Sequence, residues 1–123
     1  MTHKIKSFAT ALVLLLSASA FAGNLSDYQN VRDLLNSDNV VLYSYWGCLE
    51  DGYSLNQSEY NPIYYLVQPE GEHVAGTVKL TLNRSQGNNS LTTDYIFIEV
   101  EIIDDSNGNL KVGQMTVKRS TVY

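Results

Sequence analysis

The sequence has one cysteine, Cys48, two prolines and two histidines in 123 residues. A lone cysteine excludes an internal disulfide, so the domain is expected to be held by packing rather than by crosslinks. Basic charge is also scarce, with eight Lys and Arg against 13 Asp and Glu and a net charge of −5. That balance leaves no basic face for a phosphate backbone and argues against nucleic acid and anionic lipid as partners. One Cys and one His beyond the first segment cannot fill a structural zinc site. No stretch reaches the roughly 20 apolar residues a membrane-spanning helix needs.

What is present begins at the N-terminus. Lys4 and Lys6 precede an apolar run from Phe8 to Leu16, and Ala20-Phe21-Ala22 follows as a small-x-small site. That order is the signature of a secretory signal peptide, so residues 1–22 are expected to be removed and the product to be periplasmic or secreted. Residues 23–123 then form a single domain of ordinary size. Losing Lys4 and Lys6 takes the charge from −5 to about −7.

Tyr28, Val31, Leu34 and Leu35 fall at helical spacing behind Ser26 and Gln29, a capping-box pair, which predicts a short helix from Asp27 to about Asn36. Val40 to Trp46 is rich in β-branched and aromatic residues and reads as a strand. Gly47 to Asn61 reads as a long polar loop, and Ile63 to Val67 as a second strand. Val74–Leu82 and Thr93–Ile103 alternate apolar and polar residues, and Gln86-Gly87-Asn88-Asn89 supplies a turn between them. Asn107-Gly108 is a hairpin signal, and Leu110–Val122 is the last strand. Its apolar parity changes around Gly113, which predicts a β-bulge there. The expected fold is α+β: a short N-terminal helix packed on an antiparallel sheet of about five strands.

Catalytic chemistry has little to draw on. Cys48 and His73 could pair as nucleophile and base, yet nothing orients them, and His73 sits between Glu72 and Val74 at a turn. The Asp104–Asn109 segment fails as an EF-hand, because the first ligand position counted back from Gly108 is Ile103. No cofactor and no metal is implied. The unusual feature is nine tyrosines, with Tyr43, Tyr45, Trp46 and Tyr53 grouped around Cys48. On a strand, Tyr43 and Tyr45 would share a face and Trp46 would point the other way. Left uncovered, such a face would bind a protein partner; covered, its rings would fill the core. The candidate binding residues are Tyr43, Tyr45, Trp46, Cys48 and Tyr53.

Leu25–Leu35, then Val40-Val41-Leu42 and Cys48, resemble the opening of the VirK family, and Ile63–Val67 with Glu70-Gly71 and the Asp105–Leu110 hairpin resemble its later strands. The resemblance implies an exported, virulence-associated protein of a Gram-negative bacterium without established enzymatic activity. The expected function is thus a non-enzymatic accessory or protein-binding role, as a monomer or weak homo-oligomer. Two alternatives stand beside it: a small cystatin-like inhibitor, from the helix-plus-meander order, and a thiol-dependent enzyme using Cys48.

Overall fold

A computed structural model describes residues 25–63, 71–86 and 92–122. The signal-peptide reading of residues 1–22 lies outside the described residues, as do the Gly87–Asn89 part of the expected turn and all of the expected Ile63–Val67 strand except Ile63.

Among the described residues the chain forms helix α1 (Leu25–Ser37) and helix α2 (Asn39–Glu50). Strands β1 (Ser54–Pro62), β2 (His73–Gln86), β3 (Thr92–Asp104) and β4 (Leu110–Val122) follow. The strands make one antiparallel meander in the order β1-β2-β3-β4. The α+β class stands, with two helices and four strands in place of one helix and about five strands.

The difference begins at Val40–Trp46, which is helical rather than extended. Asp38 is the physical reason. Its extended backbone ends α1, and its carboxylate accepts the Val41 N–H at 3.0 Å as the N-cap of a new helix. The Asn36–Asn39 segment is therefore a one-residue joint between helices. The buried residues of α2 are Val41, Leu42, Tyr45, Trp46 and Cys48, a helical stripe. Intrinsic β preference yields to that packing.

Helix α2 closes on Gly52, whose φ is +90°. Gly52 N–H donates to the Leu49 carbonyl and Tyr53 N–H to the Cys48 carbonyl, a Schellman closure. This turn directs Tyr53 into the core and starts β1 at Ser54. The segment read as a long loop therefore holds the end of α2, its cap and an edge strand. Most of β1 is polar because only Ser58, Tyr60 and, in part, Leu55, Glu59 and Pro62 are covered.

Three bulges shape the sheet: at Asn56 in β1, at Ala75 in β2, and at Gly113–Gln114 in β4, where two residues face Glu101. The last is the bulge that the parity change at Gly113 predicts. A Cβ on Gly113 would lie 2.8 Å from Ile103 Cγ1, so the small residue lets β4 approach its neighbour.

Val78, Leu80, Leu82, Ile96, Ile98, Val100 and Ile102 share one sheet face and are fully buried, as are Val31, Leu35 and Val41 of the helices. Burying each such side chain stabilises the fold by about 1.5–3 kcal/mol. The helices thus cover one face of the sheet.

Candidate functional site: the uncovered surfaces of the sheet

The residues singled out in the sequence do not assemble into a shared exposed face. Tyr45, Trp46, Cys48 and Tyr53 are all buried in the core cluster, and Tyr43 alone is exposed, at 55%. Helical geometry is the cause: positions 45, 46 and 48 lie on the stripe that meets the sheet, whereas position 43 lies off it. Tyr43 meets Trp46 edge-on, with ring centroids 6.3 Å apart and planes at 71°. The core-filling alternative describes Tyr45, Trp46 and Tyr53.

Burial pushes the Cys48 thiol up from its ordinary value; Arg119 opposes this and Asp51 adds to it. Cys48 and His73 are not brought together. Arg84, near the far end of β2 from His73, donates to the Asp51 carbonyl just after α2. The α2 terminus thus sits at the opposite end of a strand about 40 Å long, beyond hydrogen-bond reach of His73. His73 is half-buried at the start of β2 rather than solvated in a turn.

A compact cluster stands at that same end. Arg84 lies over the Tyr53 ring at 4.5 Å from its centroid, and its Nε is 3.5 Å from the Asp94 carboxylate. Thr121 Oγ1 also donates to Asp94, at 2.8 Å. Asp94 is 6% exposed. This charge network ties the α2 turn to β2, β3 and β4.

The sheet face turned away from the helices carries Gln57, Glu59, Thr77, Lys79, Thr81, Tyr95, Phe97, Glu99, Thr116 and Lys118 on alternate positions of the four strands. At its centre Tyr95 and Phe97 are stacked, with ring centroids 6.0 Å apart and planes within 6°. Lys79 Nζ lies 4.9 Å from the Phe97 centroid, a cation–π contact. Both rings are half-buried, and among the described residues no helix packs on this face. Beside them a shallow depression of about 150 Å³ is lined by Thr77, Glu99, Glu101, Gln114 and Thr116, next to the β4 bulge. The alternation along Thr93–Ile103 places Tyr95, Phe97, Glu99 and Glu101 on one face of β3, the face opposite Ile96, Ile98, Val100 and Ile102. The signal that finds the ring pair is two aromatics two residues apart on the polar side of an alternating strand.

The Asp104–Asn109 segment forms the β3–β4 hairpin. Asp105 accepts from the N–H groups of Asn107 and Asn109 and from Asn109 Nδ2. These bonds, the Asn107 N–H foremost, hold its carboxyl below the usual range. Ser106 Oγ donates to the Gly71 carbonyl, and Lys111 pairs with Glu72, so the hairpin is fastened to the segment leading into β2.

Among the described residues no group of three or more His, Cys, Asp or Glu is placed to hold a metal. No helix there is long and apolar enough to cross a membrane. No family model, curated protein or solved structure matches the chain, so the VirK resemblance rests on its short motifs alone.

Proposed function

We propose that this chain is an exported, non-enzymatic accessory protein of a Gram-negative bacterium that binds a protein partner through the sheet face carrying Tyr95 and Phe97. The observation that carries the reading is this stacked, half-buried ring pair on a face the helices leave uncovered. Tyrosine and phenylalanine supply contact area at low entropic cost, and the surrounding Thr, Lys and Glu side chains supply a polar rim.

Export is supported by the leader-like order of residues 1–22. A VirK-like, virulence-associated role belongs to the same proposal. A thiol enzyme is disfavoured, because a buried Cys48 with a raised pKa holds little thiolate at neutral pH.

The test uses protein recovered from the periplasm or medium after expression of the full chain. N-terminal sequencing should read from Gly23. Capture from periplasmic extract should enrich a partner that the Tyr95→Ser/Phe97→Ser double variant, still folded by circular dichroism, fails to enrich. Equal capture by both proteins would remove the proposed face.

The hairpin gives the inhibitor reading one favourable observation: Asp105–Asn109 is an exposed tip whose shape is fixed by four of its own hydrogen bonds. A protease-inhibition assay discriminates here. Inhibition abolished when Ser106–Gly108 is replaced by glycines would favour that reading over the accessory role.

A further inference from the structure

Strand β4 is the sheet's last strand, and among the described residues nothing pairs with its outer edge. From Met115 to Val122 it keeps unbroken register with β3, because the Gly113–Gln114 bulge lies before that stretch. Its outer N–H and C=O groups therefore form a regular, unused ladder.

The chemistry along this edge differs from the rest of the molecule. Leu110–Val122 contains Lys111, Lys118 and Arg119 and no Asp or Glu, in a chain where acidic residues outnumber basic ones 13 to eight. Lys111 is paired with Glu72. Lys118 and Arg119 are exposed and make no ion pair among the described residues. Being successive, they point to opposite faces, so a strand laid along β4 meets a cation on each side of its backbone. Val117, next to them on the helix-covered side, is 45% exposed.

We infer that the outer edge of β4 between Met115 and Val122 takes an extended, acidic segment of another protein as a fifth strand. Backbone hydrogen bonds provide the attachment, and two adjacent carboxylates opposite Lys118 and Arg119, next to an apolar residue opposite Val117, provide the selection. A second β4 is a poor occupant. Antiparallel self-pairing about this stretch sets Lys118 and Arg119 of one copy against the same residues of the other, and like charges directly opposite destabilise. Charges on an edge strand commonly keep copies apart; here the same cations favour a partner of opposite sign. Lys118 also stands beside Phe97 on the open face, whereas Arg119 and the outer backbone ladder of β4 lie outside it, so dependence on peptide N–H groups and on Arg119 separates this surface from the Tyr95–Phe97 face.

The experiment uses purified exported protein and a fluorescent peptide, Thr-Val-Thr-Glu-Glu-Val-Thr-Val, read by anisotropy. Binding is expected, with about tenfold weakening by Lys118→Glu/Arg119→Glu and a comparable weakening when alternate peptide nitrogens are methylated. The Lys-Lys version of the peptide should bind the charge-reversed protein better than the wild type. Three results would overturn the inference: no binding of the acidic peptide, binding indifferent to N-methylation (attraction without strand addition), or a dimer in sedimentation that the charge reversal abolishes. Both proteins are checked by circular dichroism, so a misfolded variant is replaced by the milder Lys118→Gln/Arg119→Gln pair.

Discussion

Arg84 Nε lies 3.5 Å from the Asp94 carboxylate, and the same guanidinium donates through Nη1 to the Asp51 carbonyl. One side chain thus joins the α2 turn to the inner strands. Asp94 has its side chain 8% exposed, whereas Arg84 has 38%. Removing the arginine leaves a carboxylate short of one partner where water reaches it poorly. Arg84→Met should destabilise the fold by about 1–3 kcal/mol in urea denaturation. Adding Asp94→Asn should recover part of the loss, since the residual charge is the cost. A loss below about 0.5 kcal/mol, the scale of exposed pairs, would contradict this role.

Ser58 gives a prediction of opposite sign. Its hydroxyl is buried on the core face opposite Leu80, and among the described residues its Oγ has no hydrogen-bond partner. A buried hydroxyl without a partner carries its desolvation cost uncompensated. Ser58→Ala should leave stability unchanged or raise it by up to about 1 kcal/mol, while Leu80→Ala across the strand pair should cost about 2–5 kcal/mol. Both shifts are readable from thermal melts; a clear loss in Ser58→Ala would mean the hydroxyl is bonded.

Cys48 should resist thiol reagents in the folded protein and react at once in denaturant, because it is 8% exposed and burial raises its pKa. Its linkage to stability follows from that direction. The buried thiol keeps its proton where the unfolded chain loses it, so stability should decline as pH rises past the ordinary thiol value of 9.0. Rapid labelling of native protein near pH 7 would reopen the thiol-enzyme alternative.

Asp105 behaves in the reverse sense. Its carboxyl is held below its ordinary 3.8 by the Asn107 N–H first and by Asn109 next. The folded pKa is depressed, so its contribution is present above 3.8 and is lost as pH falls through the lowered value. The hairpin amide resonances of Asn107 and Asn109 should shift in NMR only below that point, and Asp105→Ala should abolish the transition.

The sequence carried α1 and the β2–β3–β4 meander openly. Val31 and Leu35 repeat at helical spacing, and Ile96, Ile98, Val100 and Ile102 alternate in a strand buried on one side only. The β4 bulge was also readable, from the parity change at Gly113. Helix α2 was not, because Val40, Val41, Tyr43 and Tyr45 are β-preferring residues, and the deciding feature is a cap made by Asp38 within what looks like a stop signal. Strand β1 was hidden for another reason: an edge strand needs few apolar residues, and Ser58 and Tyr60 alone give too short an alternation. The aromatic site moved accordingly. Tyr45 and Trp46 pack inward once their segment is helical, Tyr53 follows them through the turn after the helix, Tyr43 stays exposed, and the stacked pair on the open sheet face is Tyr95 and Phe97.

The central claim is that the helices cover one face of the sheet and leave the other open. Adjacent residues of β3 report on it directly: Glu99 faces away from the helices and Val100 faces them. In a Cys48→Ala background, Glu99→Cys and Val100→Cys can be labelled with a maleimide in native buffer and the rates compared. The account predicts rapid labelling at position 99 and protection at position 100 that disappears in urea. Equal protection at both positions would contradict it, by placing a second layer over the Tyr95–Phe97 face.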